Sequence, residues 1–251
     1  MKYIFVLCSF AILLMLFVGC GGSNSTTPVE TTPMAPLTDT TAPNVVPDEN
    51  GFVVIEKRYI YLKKDLVILS VENRSDKNYT VTVTGRYLDS DGNVIKTQKQ
   101  TFTGWAAGYH NYFLFRPNRN FADFQYTLEV NEYTGECLAA GVSGSFVELK
   151  ESAMIFGPSD LTVYPAVTGA WKLSNSLPFD VFFSGYTVLF DNMGGIYGIY
   201  ESPLILIKQN QTDRFINQKV YQNQTEELVW PAELAGEVSG IVIVKSVERE
   251  E

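Results

Sequence analysis

The sequence predicts an all-β protein built as two tandem antiparallel β-sandwich domains that follow a disordered linker. Three observations lead there. Apolar and polar side chains alternate with a period of two through much of the chain after residue 51, short stretches of pattern recur about a hundred positions apart, and no long amphipathic helix is present.

Alternation locates the strands. Val81, Val83 and Tyr87 fall on one face, with Thr80, Thr82, Thr84 and Arg86 on the other. Tyr126, Leu128 and Val130 alternate with Gln125, Thr127, Glu129 and Asn131 in the same way. Successive side chains of a strand point to opposite sides, so this pattern gives one buried and one solvated face. The apolar runs 66–71, 204–207 and 241–244 fit strands buried more deeply. Residues 226–234 have room for one helical turn, which Pro231 interrupts.

The repeat has three anchors. Val71-Glu72-Asn73-Arg74-Ser75 matches Leu173-Ser174-Asn175-Ser176-Leu177. Sixteen residues after each Asn stands an Asp: Asp89 in Tyr87-Leu88-Asp89-Ser90-Asp91-Gly92-Asn93-Val94, and Asp191 in Leu189-Phe190-Asp191-Asn192-Met193-Gly194-Gly195-Ile196. Val142-Ser143-Gly144-Ser145-Phe146-Val147 is taken to match Val238-Ser239-Gly240-Ile241-Val242-Ile243. On these anchors the domains run over 51–150 and 151–248, each the size of a small immunoglobulin-like sandwich. Asn73 and Asn175 are expected to serve a tight turn, and each Asp/Gly turn to end the next strand, with Gly at a positive backbone angle.

The Asn turn, alternating strand, aromatic-Asp end and Gly turn together resemble FxLYD-type domains, small all-β modules of prokaryotic envelope lipoproteins. Gly85-Arg86-Tyr87-Leu88-Asp89 keeps only the final Asp of that signature; Thr187-Val188-Leu189-Phe190-Asp191 keeps Leu, an aromatic and Asp. The resemblance covers about half of each copy. It implies a fold and a location, and brings no catalytic residues.

The N-terminus carries an address. Lys2 is the only charge in residues 1–19, and an apolar run from Tyr3 to Val18 is broken only by Cys8 and Ser9. A basic start, an apolar stretch and a small residue at its end make a secretory signal. Phe17-Val18-Gly19-Cys20 resembles the lipobox of bacterial lipoprotein precursors, with Phe17 where Leu is usual. By that resemblance residues 1–19 are removed, Cys20 carries diacylglycerol and palmitate, and the chain sits lipid-anchored and extracytoplasmic on the cell membrane or outer membrane. Residues 20–50, rich in Ser, Thr and Pro, read as the linker.

Composition narrows the chemistry. A net charge of −9 argues against a nucleic-acid partner and gives no electrostatic help toward anionic lipids, so the membrane contact is expected to rest on the acyl chains. Cys8 leaves with the signal and Cys20 takes lipid, so Cys137 stands alone without a disulfide partner, and a small buried or half-buried residue is expected there rather than a reactive thiol. His110 is the single histidine, so neither a multi-histidine zinc site nor several His-centred relays can form within one chain. No cofactor is expected. Asp89-Ser90-Asp91-Gly92-Asn93 offers oxygen ligands for calcium, but its Gly is misplaced for an EF-hand, and a hairpin turn is the expected role.

Trp105, Tyr109, His110 and Tyr112 cluster in one segment and are the candidate ligand contacts. The function expected is non-catalytic: two modules on a stalk, presenting a surface to an envelope protein or a glycan. A carbohydrate- or peptidoglycan-binding role would need those rings exposed as a platform. An envelope hydrolase would need loop carboxylates to converge in a cleft.

Overall fold

A computed structural model describes residues 47–156, 163–221 and 224–250. They belong to one compact unit, Thr40–Glu251. Cys20, the signal and the linker through residue 46 lie outside the described residues.

Among the described residues, sixteen strands form four antiparallel sheets. β1 (Phe52–Tyr61), β2 (Lys64–Asn73) and β5 (His110–Phe115) make the first, in the order β1-β2-β5. β3 (Tyr79–Leu88), β4 (Val94–Trp105) and β6 (Asp123–Glu132) make the second, in the order β4-β3-β6. The third centres on β8 (Val163–Asn175), paired with β7 (Val142–Phe156), β12 (Arg214–Ile216) and β15 (Val229–Pro231). The fourth centres on β9 (Val181–Phe190), flanked by β10 (Ile196–Glu201), β11 (Ile205–Ile207) and β16 (Ser239–Arg249). The hairpin of β13 (Gln218–Tyr221) and β14 (Gln224–Glu227) extends it beyond β10. Among the described residues, helix is limited to two short 3-10 turns, Leu138–Gly141 and Ala232–Leu234.

The alternation explains the layers. Val67, Leu69 and Val71 of β2 pack with Val81, Val83 and Tyr87 of β3, together with Phe102, Trp105 and Phe124. Trp171 and Leu173 of β8 pack with Val181, Phe183 and Leu189 of β9 in the corresponding place. The opposite faces of β2 and β9 are buried too. Leu66, Ile68 and Leu114 meet Val188, Phe190 and Ile243 in a separate core, and the Tyr59 and Phe190 rings lie 5.6 Å apart. The run 66–71 is therefore apolar because β2 is covered on both sides. Each fully buried side chain of this size contributes about 1.5–3 kcal/mol, enough to hold the two sheet pairs as one body.

Strand pairing moves the expected division of the chain. The boundary at 150/151 falls inside β7, which pairs with β8 as β1 pairs with β2: Phe52 lies opposite Asn73, and Val142 opposite Asn175. The second set of sheets begins at Val142. The third sequence anchor fails for the same reason. Val142 opens the counterpart of β1, whereas β16 pairs with β9 as β6 pairs with β3, with Ser239 opposite Phe190 and Asp123 opposite Leu88. Val-Ser-Gly stands at a strand start in both places, at Val142 in β7 and with β16 opening at Ser239, although the two strands hold different positions in their sheets.

Candidate functional site

The first two anchors carry the same hydrogen bonds. The Asn73 amide donates to Lys77 O at 2.8 Å and Ala106 O at 2.9 Å, and its Oδ1 accepts from Ser75 N at 3.0 Å. The Asn175 amide donates to Phe179 O at 2.9 Å and Lys208 O at 3.1 Å, and its Oδ1 accepts from Leu177 N at 2.9 Å. Every partner sits at the same sequence offset from its Asn. Both side chains are buried, at 0% and 1% exposure. Each Asn braces its turn, Oδ1 accepting from the backbone N–H two residues on, and the same amide also clamps a distant carbonyl, because only an amide supplies two donors and an acceptor from one short side chain.

Asp89 and Asp191 close their turns alike. Asp89 Oδ1 accepts from Asp91 N at 3.0 Å and Asn93 N at 2.8 Å; Asp191 Oδ1 accepts from Met193 N at 2.9 Å and Gly195 N at 2.8 Å. Gly92 and Gly194 take φ of 81° and 80°, as expected of Gly in these turns. These bonds, the one from Asn93 N foremost, hold the Asp89 carboxyl below its usual range. The second turn closes without a counterpart of Asp91, so the fold of the first needs no cation. Among the described residues, no three His, Cys, Asp or Glu side chains gather as a metal site.

The predicted aromatic contacts separate. Trp105 is fully buried, donates from Nε1 to Tyr109 O at 2.8 Å, and stacks on Phe113 at 5.5 Å. Tyr109 packs against Trp105 and Phe102 in the same core, and burial raises its pKa. Tyr112 packs on the other face of the sheet with the second core. His110 keeps an exposed edge on β5, with Nε2 2.8 Å from Ser70 Oγ and its ring 4.7 Å from Tyr112. Burial of the ring's inner side lowers its pKa, against a smaller opposing pull from Glu72. These four residues form no shared exposed platform, because alternation along β4 and β5 sends the large rings inward. Cys137 is half-buried, as expected, and burial raises its thiol pKa.

Sequence reasoning missed a cleft at the end of the first sheet pair. It measures roughly 110 Å³ and is lined by Tyr61, Leu62, Lys64, Asp65, Leu66, Arg116 and Asn118. The two-residue turn between β1 and β2 forms one wall. Leu62 and Lys63 sit there at φ of 51° and 61°, and Asn118 in the facing loop is at 61°. Two-residue hairpins need positive φ to match strand twist, and they normally recruit Asn and Gly for it. Leu and Lys carry a steric cost in that region, so local strain is concentrated at this cleft.

Its charges are unbalanced. Lys63, Lys64, Arg116 and Arg119 are exposed and make no ion pair among the described residues. Arg58 nearby is already bound to Glu56 at 2.8 Å and Asp123 at 2.7 Å. The Asp65 carboxylate lines the cleft but accepts from Phe121 N at 3.1 Å. Arg116 lies 6.0 Å over the Tyr61 ring. The available signal was the density of Lys and Arg in 57–64 and 116–119 of an acidic chain; the missing signal was a turn residue between β1 and β2.

No family model matches the chain, and neither the curated proteins nor the solved structures contain a match to it.

Proposed function

We propose that this chain is a non-catalytic, lipid-anchored envelope protein. It is secreted, cut before Cys20, lipidated there, and presents two mutually packed β-sandwich modules on the extracytoplasmic side of a membrane as a binding surface. The observation that carries the reading is Phe17-Val18-Gly19-Cys20 at the end of a signal-like run, followed by a Ser/Thr/Pro-rich stretch. The clamp shared by Asn73 and Asn175 supports two copies of one module. Loops at a sandwich end are where such a module can vary its surface without disturbing its core, and the basic cleft lies at such an end.

The test is expression of the full chain and its Cys20→Ser variant in a bacterial host fed a palmitate analogue. The parent is expected to incorporate label and to remain in the membrane fraction through high-salt washing. The variant is expected to lose the label. Equal labelling of the two would overturn the reading.

A further inference from the structure

We infer that the β1–β2 hairpin is a second membrane contact, one that seats the first sheet pair on an anionic lipid surface. The role is additional to the Cys20 anchor and draws its physiological setting from that reading.

The argument begins with side chains that the fold leaves in water. Ile60 and Leu62 are 72% and 75% exposed, and both stand on this one hairpin. A core-forming sequence normally buries such residues, and the twist of the turn instead projects Leu62 outward at a strained backbone angle. Lys63 and Lys64 follow immediately; Lys64 and Arg116 line the cleft, and Arg119 is exposed three residues after Arg116 in the same loop. Apolar tips ringed by unpaired cations match the bilayer boundary, where aliphatic side chains enter below the headgroups while ammonium and guanidinium groups meet phosphates. Nearby carboxylates offset the cations only in part: Glu56 and Asp123 share Arg58, Asp65 keeps its charge while accepting from the backbone of Phe121, and the five cations Arg58, Lys63, Lys64, Arg116 and Arg119 against these three carboxylates leave a local balance of +2. The whole-chain charge of −9 thus conceals a local basic surface.

Reach is adequate. β1 enters from the linker side at Phe52 and ends at Tyr61, so the tip stands roughly 30 Å from the entry point. The 31 residues from 20 to 50 have a contour length of about 100 Å, so chain length alone does not keep the tip from the membrane that holds Cys20. A lipid anchor gains from a second attachment of this kind, since lipid chains and basic patches reinforce each other.

The experiment uses the chain from residue 20 onward with Cys20→Ser, so that lipidation plays no part. It is mixed with neutral phosphatidylcholine vesicles and with vesicles also containing phosphatidylglycerol, and floated. Binding is expected only to the anionic vesicles and is expected to fall with salt. Lys63→Gln with Arg119→Gln should weaken it roughly 25-fold, about fivefold per cation. Leu62→Ser should weaken vesicle binding while leaving binding to soluble polyphosphate unchanged. Equal binding to neutral vesicles, or parent-like binding by the double Gln variant, would overturn the inference. So would parent-like vesicle binding by Leu62→Ser, which would leave a simple anion site. The anchor reading is decided separately, by labelling at Cys20.

Discussion

The side chain of Asn111 pairs with the backbone of Val244 as a neighbouring strand would. Asn111 Nδ2 donates to Val244 O at 2.9 Å, and Val244 N donates to Asn111 Oδ1 at 3.1 Å. Asn111 belongs to β5 and is 2% exposed; Val244 lies in β16, at the point where its register with β9 shifts before Ser246. One amide thus satisfies both polar groups at an irregular strand edge and ties the first sheet pair to the second. Asn111→Leu would leave both Val244 groups buried without partners. A loss of about 2–4 kcal/mol is expected in urea unfolding, with faster hydrogen exchange at the Val244 amide.

The two clamps should respond in parallel. Asn73→Ala and Asn175→Ala each strand a pair of carbonyls, and each is expected to cost about 2–3 kcal/mol, lowering the melting temperature by roughly 5–10 °C. Asn175→Asp should be worse at neutral pH, where a carboxylate faces the Phe179 and Lys208 carbonyls. It should recover in part in acid, because the protonated form can donate one of the lost bonds. Thermal melts of the three variants at two pH values check this.

Thr187 offers a change in the opposite direction. It is fully buried on β9, and its hydroxyl has no hydrogen-bond partner among the described residues. Thr187→Val keeps the shape and removes the unpaired group. A gain of about 1 kcal/mol is expected by chemical denaturation.

His110 predicts a pH dependence with a definite sign. Its folded pKa lies below 6.5 because burial disfavours the charged ring. The unfolded chain therefore takes up the proton first as pH falls. The stability that comes from keeping the ring neutral is complete above 6.5 and declines as pH drops from there toward the folded pKa. His110→Gln should flatten that part of the stability profile, measured by urea unfolding between neutral pH and mild acid.

The strained hairpin couples stability to the proposed contact. Replacing Leu62-Lys63 by Asn-Gly supplies residues suited to positive φ and should stabilise the fold by about 1–2 kcal/mol. The same double change removes an apolar tip and a cation, so binding to anionic vesicles should weaken while the melting temperature rises. A variant that gains stability and keeps full vesicle binding would overturn the proposed contact.

The sequence by itself determined the strand content, the ten-residue strand after each Asn, and the two Asp/Gly turns. Alternation and backbone chemistry are local, and they are written in adjacent residues. It also put Val81, Val83 and Tyr87 on one face of their strand, and all three are buried. Trp105 and Tyr109 read as candidate contacts until the pairing of β4 with β3 and of β5 with β2 brought both rings into the core between those sheets. Only the tertiary structure decided that β7 belongs with β8, that Asn73 and Asn175 are buried clamps, and that Asn111 reaches Val244. Each depends on residues far apart in the chain meeting at fixed distances. The basic cleft emerged for the same reason: Lys64 and Arg116 line one cleft only after β2 and β5 have paired, and the global charge of −9 averages them away.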